Sequence, residues 1–310
     1  MKTDEKNVME AISSEELQDR KRYTSIEYKV FPGITLTYDN AHSHNGEFKL
    51  KKCVRNSMFE IFHCREGRME FSIGEEYCYI SPGDILIVRT ERLTDSLYFP
   101  LQHYHGITIS IDTDKAPKCL SCFLKDIAVR PESIAEKFCG EHSYFIARSD
   151  QSFEHIFSEL YAIPEEIRPG YSKIKILELM LFLSVFDKDN GKSENRGVSP
   201  YQVSLAKAAA AYLMDNMEEK ITLEQAANKY HVSLTVLKKA FKAVYGVPFY
   251  SYIKTQKIES AAYMLEYTDK TVTEIANEHG YDNASKFAAA FRSIKALAPL
   301  EYRARHLKKK

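Results

Sequence analysis

TLEQAANKYHVSLTVLKKAFKAVYG, at residues 222–246, and TVTEIANEHGYDNASKFAAAFRSIKA, at residues 271–296, are two copies of one helical pattern. Aligned residues are 49 positions apart at Ala227 and Ala276, and 50 positions apart later in the copies. The second copy is therefore one residue longer, and the extra residue falls in the turn between its helices. The duplicated helix–turn–helix decides the fold that we predict for this part of the chain.

Both copies begin with residues that are typical of a helix N-terminus. Thr222 and Thr271 each place a hydroxyl where it can accept a hydrogen bond from a free amide of the first turn. Gln225 and Glu274 follow three positions later and can bond back to the amide of the cap residue. The sequence therefore predicts a capping box, and a short helix directly after it, in each copy.

The second helix of each copy has its own cap and its own apolar side. Ser233 is the predicted cap in the first copy, and Asp282 or Asn283 in the second. Apolar residues four positions apart are predicted to enter the core, namely Leu237 with Phe241 and Phe287 with Phe291. The predicted units are about 222–244 and 271–295, and a continuous helix between them is predicted to fix their separation.

Composition excludes several classes of protein. The 310 residues have room for about two domains, and 44% hydrophobic with 28% charged residues is ordinary for a soluble globular protein. No apolar run approaches the roughly 20 residues of a membrane span, and the acidic, polar N-terminus does not resemble a signal peptide. The six cysteines are irregularly spaced in the first half, which favours free thiols in a cytoplasmic protein.

Charge is distributed unevenly along the neutral chain. From Tyr201 onward there are 17 Lys and Arg against 11 Asp and Glu, a net charge of +6, which leaves −6 for the preceding residues. A basic C-terminal domain favours a polyanion as its partner. A chance imbalance on solvated surfaces is the alternative interpretation.

The region from Ser25 to about Asp112 has the pattern of short β-strands. Apolar and polar residues alternate, for example in 34–38 and 107–111, and Gly, Pro and Asp separate the runs. Many short strands of this kind favour a barrel or sandwich of the jelly-roll type. The stretch 60–67, followed by MEFSIGEEYCYISPGDILIV, resembles a cupin-type sensor domain.

Two His-x-His pairs and one Cys-x-x-Cys pair are weak candidates for metal binding. His42 with His44 and His103 with His105 each place two imidazoles on one face of a strand, as metal-binding cupins do. The glycine spacing of such cupins is absent, so surface or hydrogen-bonded histidines are favoured. Cys119 and Cys122 form a lone pair without a second one, which favours plain free thiols. The sequence therefore predicts no metal, no cofactor and no catalytic residue.

Helical patterns and a polar linker follow the β-region. Residues 172–186 are apolar on most faces, which predicts a helix buried nearly all round, against the barrel or in a subunit interface. The fold class predicted for the chain is α+β, with two domains. The predicted divisions are a lead-in at 1–24, a cupin-like effector-binding and dimerisation domain with C-terminal helices at 25–186, a linker at 187–200, and an all-α double helix–turn–helix domain at 201–310.

Residues 202–306 resemble the DNA-binding domain of the AraC/XylS family of transcription regulators. The matching residues are Ala227, Ser233, Leu237, Phe241, Gly246, Tyr252, Ala261, Leu265, Ile275, Ala276, Gly280, Tyr281, Phe287, Phe291 and the segment Pro299–Arg303. The sequence departs from the family at Lys257, where Arg is usual, at Ala296, where Gly is usual, and at Pro248, which comes one place early. The β-region also resembles the cupin-like effector domains of this family, more weakly.

The resemblance implies two recognition helices in successive major grooves of bent promoter DNA. The implied base contacts are Thr235, Lys238, Lys239, Ser285 and Lys286, and the implied phosphate contacts are Ser233, Lys242, Asn283, Arg292 and Arg303. Lysines can donate to guanine, whereas alanines at 284, 288 and 289 carry no hydrogen-bond information. The first unit is therefore predicted to specify sequence, and the second to hold the backbone. Neutralisation of phosphate alone is the alternative role for the lysines.

The predicted function is that of a cytoplasmic transcription regulator, not an enzyme, that responds to an unidentified small-molecule effector. A homodimer through the N-terminal domain is expected, and RNA polymerase is a further candidate partner. One alternative is a regulator whose barrel serves only dimerisation or docking. The less favoured alternative is a metal-dependent cupin enzyme with an accessory helical domain.

Overall fold

The computed structural model describes residues 23–42, 47–49, 57–93, 96–118, 129–140, 144–188, 197–216 and 221–306. The chain divides into two units, Met1–Gly197 and Val198–Lys310. No helix within the described ranges is long and apolar enough to cross a membrane.

The N-terminal unit contains two antiparallel sheets. Its strands are β1 (Tyr23–Phe31), β2 (Ile34–His42), β3 (Glu47–Lys49), β4 (Met58–Gly67), β5 (Met69–Ile73), β6 (Glu76–Ile80), β7 (Asp84–Arg89), β8 (Ser96–Tyr98), β9 (His103–Asp112) and β10 (Tyr144–Arg148). The six-stranded sheet has the order β1-β2-β9-β4-β7-β10, and the four-stranded sheet has the order β3-β8-β5-β6. The β-rich pattern of residues 25–112 is therefore confirmed.

Period-two alternation explains why the larger sheet is covered on both faces. Along β4, Phe59 and Ile61 belong to a core shared with the helices of this unit, whereas Phe62 and Cys64 belong to a second core shared with the smaller sheet. All four side chains are at most 3% exposed. The unit thus has three layers, with helices on one side of the larger sheet and the smaller sheet on the other.

The cupin-like barrel is not confirmed. Among the described strands, no pairing joins one sheet to the other, so the arrangement is that of two stacked sheets. Of the strands β3, β8 and β10, the last lies beyond the predicted β-region, which ends at about Asp112. Two of them have only three residues, which is too short for alternation to be recognised in the sequence.

In the described part of this unit, α1 (Pro131–Cys139) precedes the last strand β10, and α2 (Gln151–Tyr161) and α3 (Arg168–Val185) follow it. Within this unit the 172–186 helix is buried on one side only, so the predicted packing against the sheets accounts for part of its apolar surface and the subunit interface stays a prediction. Ile176, Leu179 and Leu183 are buried against the sheet, but Ile174 is 59% exposed and Val185 is 79% exposed. One face packs within the unit, and the apolar residues on the opposite face remain at the surface.

The C-terminal unit consists of helices in all of its described elements. They are α4 (Pro200–Asp215), α5 (Leu223–Lys229), α6 (Leu234–Tyr245), α7 (Phe249–Tyr267), α8 (Val272–Glu278), α9 (Ala284–Lys295) and α10 (Pro299–His306). Helices α5 and α6 form the first helix–turn–helix, and α8 and α9 form the second. The predicted core residues Leu237, Phe241, Phe287 and Phe291 are each at most 1% exposed. A mixed α/β chain with a helical C-terminal domain is therefore confirmed.

Candidate DNA-binding surface

The two helix–turn–helix units begin in the same way. The Thr222 hydroxyl accepts a hydrogen bond from the Gln225 amide (3.2 Å), and the Gln225 side chain accepts one from the Thr222 amide (2.7 Å). Thr271 and Glu274 form the same pair of bonds, also at 3.2 and 2.7 Å. Both predicted capping boxes are therefore confirmed, and each fixes the start of its unit.

The turns explain the extra residue of the second copy. In the first unit the Val232 amide donates to the Ala227 carbonyl (3.1 Å), and in the second the Tyr281 amide donates to the Ala276 carbonyl (2.9 Å). Val232 is followed directly by the cap of α6, whereas one further residue, Asp282, separates Tyr281 from the cap of α9. The extra residue thus lies in the turn, as predicted.

Recognition helix α6 presents a polar face to solvent. The Ser233 hydroxyl accepts a hydrogen bond from the Val236 amide (3.3 Å), which confirms its role as N-cap. The side chains of Thr235, Lys238 and Lys239 are all exposed on the helix that this cap begins. The opposite face carries Leu237, Ala240, Phe241 and Val244 into the core. The structure therefore brings the three predicted base contacts of this unit to one surface.

Recognition helix α9 has the same frame but a smaller surface. Asn283, and not Asp282, is its N-cap, because the Asn283 side-chain oxygen accepts hydrogen bonds from the amides of Ser285 (2.7 Å) and Lys286 (3.3 Å). Ser285, Lys286 and Ala289 are exposed, and Ala288 is half-buried. The first turns of this helix therefore offer one cation, Lys286, and one hydroxyl, Ser285, beside exposed alanine.

Two of the predicted phosphate contacts, Ser233 and Asn283, are the N-caps of the recognition helices, and the other three fall into two groups. Lys242 on α6 and Arg292 on α9 are exposed on the same helices as the predicted base contacts. Arg303 lies elsewhere, since its guanidinium donates to the carbonyls of Leu265 (3.3 Å) and Lys270 (2.5 Å). These bonds satisfy carbonyls at and beyond the end of α7, which gives Arg303 a structural role that the sequence pattern did not reveal.

Helix α7 connects the two units without interruption. Its 19 residues from Phe249 to Tyr267 span about 28 Å at 1.5 Å per residue. Buried residues occur along its whole length, and Ile258, Ala261 and Leu265 pack into the core of the second unit. Successive major grooves on one face of DNA are about 34 Å apart. The connecting helix therefore has the length scale that two recognition helices on one face of DNA require.

Each unit uses two left-handed backbone positions, and their residues differ. In the turn, His231 has φ 53° and its counterpart Gly280 has φ 73°. After the recognition helix, Gly246 has φ 74° and its counterpart Ala296 has φ 58°. Side chains other than glycine are disfavoured in this region. Each unit thus has glycine at one of the two positions and a strained residue at the other.

The C-cap residue that follows the first helix of each unit also differs between the units. His279 is only 4% exposed, and its Nδ1 lies 2.7 Å from the Ile275 carbonyl oxygen. Burial lowers the pKa of this imidazole. The equivalent Tyr230 donates its hydroxyl to the Ala208 carbonyl (2.8 Å). The two units therefore have chemically different groups at this position, and only the imidazole has an ordinary pKa close to neutral pH.

The metal candidates of the N-terminal unit are only partly described. Strand register places His42 opposite His103, and Asn40 opposite His105, between β2 and β9. The Nδ1 of His103 lies 3.0 Å from the Leu101 carbonyl oxygen, and burial lowers the pKa of His105. His44, Cys119 and Cys122 lie outside the described residues. Within the described part of the chain, no group of three or more His, Cys, Asp or Glu is placed to hold a metal ion.

Comparison with known proteins defines the class of the C-terminal unit. Residues 226–305 match the family described as "Helix-turn-helix domain". This chain is 24% identical over 255 residues to the HTH-type transcriptional regulator YdiP of Escherichia coli K12, a match that covers 81% of this chain and 80% of YdiP. It is 23% identical over 227 residues to the HTH-type transcriptional regulator YtdP of Bacillus subtilis 168, covering 69% of this chain but only 28% of YtdP.

Among solved structures, the C-terminal domain of AraT, a response regulator from Geobacillus stearothermophilus, is 27% identical, with a TM-score of 0.33. That match covers 34% of this chain and 88% of the AraT domain. The family match and the relatives confirm the resemblance on which the site was predicted. The C-terminal unit therefore contains a helix–turn–helix domain, and the two relatives are transcriptional regulators of the HTH type.

Proposed function

We propose that this chain is a transcription regulator that binds promoter DNA sequence-specifically through its C-terminal domain, with the first unit supplying most of the base contacts. The observation that carries the proposal is the pair of recognition helices joined by one 19-residue helix. Of these two helices, only α6 exposes a set of three predicted base contacts, namely Thr235, Lys238 and Lys239. The net charge of +6 from residue 201 onward supports a polyanionic partner.

A binding experiment tests the base contacts directly. A preferred duplex is first selected from random DNA with the full chain, and binding is followed by fluorescence anisotropy at fixed salt. Lys238→Ala and Lys239→Ala should each weaken binding to the selected duplex by about 1–3 kcal/mol, and should weaken binding to a scrambled duplex less. A base contact changes sequence preference, whereas a phosphate contact does not.

Two lysines serve as matched controls for the same change of charge. Lys242→Ala, at a predicted phosphate contact, should weaken binding to the selected and scrambled duplexes equally. Lys270→Ala, which removes a lysine paired with Glu278 at 2.7 Å, should leave sequence preference unchanged. Unaltered affinity and preference in both recognition-helix variants would refute the assignment of base contacts.

We also propose that the N-terminal unit is a cupin-like effector-binding module. The apolar layer between its two sheets, which includes the stacked rings of Phe99 and Tyr104 at 5.2 Å between centroids, supports this proposal. A thermal-shift screen of small metabolites on the full chain tests it, because a ligand that binds the native state raises the melting temperature. A screen without stabilising compounds would favour the alternative in which the module serves only dimerisation or docking.

The exposed face of α3 supports a homodimer through this unit. Six positions on this side recur at alternating steps of four and three residues, and they are apolar except at Tyr171 and Glu178. They are 167, 171, 174, 178, 181 and 185. This spacing is that of a coiled-coil seam, which is self-complementary when two copies meet about a twofold axis. Ile167, Ile174 and Val185 on this line are 52%, 59% and 79% exposed. We therefore propose a second copy of this chain as the partner of α3.

Changing one residue on the seam and one beside it tests the dimer. Ile174→Glu places a charge in the seam and should shift the full chain from dimer to monomer in light scattering after gel filtration. The neighbouring Lys173→Glu changes charge on an exposed residue outside the seam and should leave the dimer intact. A monomeric unmodified chain, or a dimer that tolerates Ile174→Glu, would rule out this interface.

A further inference from the structure

Val236 is an apolar side chain in an unusual place. It lies on recognition helix α6, next to the predicted base contact Thr235, and 42% of it is exposed. The other exposed large apolar residues in the described part of the C-terminal unit lie on neither recognition helix, namely Tyr201, Tyr250, Tyr263, Tyr267 and Leu300. An apolar group on a surface that faces DNA needs an apolar group on the DNA to contact.

The equivalent position in the second unit supports a role in DNA contact. Val236 lies three residues after the cap Ser233, and Lys286 lies three residues after the cap Asn283. Both side chains are exposed in the first turn of their helix. In helix–turn–helix proteins, the N-terminal residues of the recognition helix contact base edges. One scaffold position thus carries a cation in one unit and an apolar side chain in the other.

The backbone and side chain of Val236 are both held in place. Its amide donates to the Ser233 hydroxyl (3.3 Å), which anchors the first turn of α6. A valine in a helix strongly prefers one χ1 rotamer, so its two methyl groups have a fixed direction. Little side-chain entropy is lost when such a group is buried in an interface. Val236 is therefore suited to an apolar contact of defined geometry.

The major groove of DNA offers one apolar group, the C5 methyl of thymine. The other groups on base edges in that groove are hydrogen-bond donors and acceptors, which a valine cannot satisfy. We infer that Val236 is a specificity-determining residue that selects thymine by contact with its C5 methyl group. The inference rests on the proposed function and adds an apolar contact to the polar contacts of Lys238 and Lys239.

Replacing thymine by uracil removes the methyl group and keeps every hydrogen-bonding group of the base. In the duplex selected with the full chain, each thymine is replaced by uracil one at a time, and affinity is measured by anisotropy. At one thymine or two adjacent thymines, the replacement should weaken binding of the unmodified chain about four-fold, which corresponds to the burial of one methyl group. For Val236→Ala, thymine and uracil should bind equally well at that position.

Matched variants keep the result interpretable. Alanine favours a helix more than valine does, so Val236→Ala should fold, and its thermal unfolding verifies this. Leu300→Ala shortens an exposed apolar side chain outside both recognition helices and should retain the discrimination between thymine and uracil. If Val236→Ala also retains the discrimination, or if Thr235→Ser alone abolishes it, the inference is wrong. Failure of the full chain to select any sequence would instead refute the proposed function itself.

Discussion

The two helix–turn–helix units have the same scaffold and different surfaces. Both begin with a threonine capping box and carry a buried pair of residues four positions apart, Leu237 with Phe241 and Phe287 with Phe291. Their exposed faces diverge, because Lys238 and Lys239 in the first unit correspond to Ala288 and Ala289 in the second. The capping and core residues thus determine the scaffold. The exposed residues, which have no part in capping or in the core, determine the different roles that we propose for the two units on DNA.

The largest expected effect tests whether the two cores are equivalent. Phe241→Ala and Phe291→Ala each remove a ring that is at most 1% exposed, so each should lower the free energy of unfolding of the C-terminal unit by about 3–5 kcal/mol. Urea denaturation of the full chain, followed by amide exchange of peptides from each unit, measures the two losses. A loss below 1 kcal/mol in one variant would show that the units do not share one type of core.

A smaller effect on stability is expected from exchanging glycine and alanine at the left-handed position after each recognition helix. Gly246→Ala introduces a side chain at φ 74° and should destabilise the first unit by about 1 kcal/mol. Ala296→Gly relieves the strain at φ 58° and should stabilise the second unit by up to about 1 kcal/mol, because the greater freedom of glycine in the unfolded chain offsets part of the gain. Thermal unfolding measures both. Changes of the same sign in the two variants would contradict this explanation.

The smallest effect concerns pH. Burial lowers the pKa of His279, so between its ordinary value of about 6.5 and its lower folded value the unfolded chain binds a proton that the folded chain does not. The stability of the second unit should therefore fall as the pH drops below about 6.5, and should stop falling below the folded pKa. Amide exchange of both units between pH 5 and 8, corrected for intrinsic rates, measures this.

The control for the pH prediction exchanges the residues at this position between the two units. Tyr230 occupies the equivalent position, and burial raises the pKa of its phenol, so no proton is exchanged there in this pH range. Tyr230→His should make the first unit acid-sensitive, and His279→Tyr should remove the sensitivity of the second. Equal acid sensitivity of both units in the unmodified chain would show that His279 is not its source.

The helix–turn–helix units were predictable because their signals are local. A capping box needs two residues three positions apart, and the core pairs need two residues four positions apart, so both can be read directly from the sequence. The choice between Asp282 and Asn283 as cap was not predictable, because both side chains can cap a helix. The helical periodicity places Val236 on the exposed side of α6. Its apolar side chain is of the type usually found in a core, so the sequence alone did not indicate a surface role.

The N-terminal unit was less predictable because its contacts are distant in sequence. Strands β3 and β8 have three residues each and pair with strands far along the chain. The helix α3 has apolar residues on most faces, so its sequence did not distinguish the buried Leu179 from the exposed Val185. Only the packing of the sheet and the neighbouring helices decides which of these faces is covered.

The uninterrupted α7 restricts how the spacing of the DNA subsites can change. One inserted residue would lengthen the connection by 1.5 Å and also rotate the second unit by about 100° around the helix axis. The second recognition helix would then point away from the groove that the first unit's orientation defines. The distance between the two subsites is therefore coupled to their relative rotation. A new spacing can arise only through an insertion whose length and rotation both suit the DNA, not through gradual lengthening.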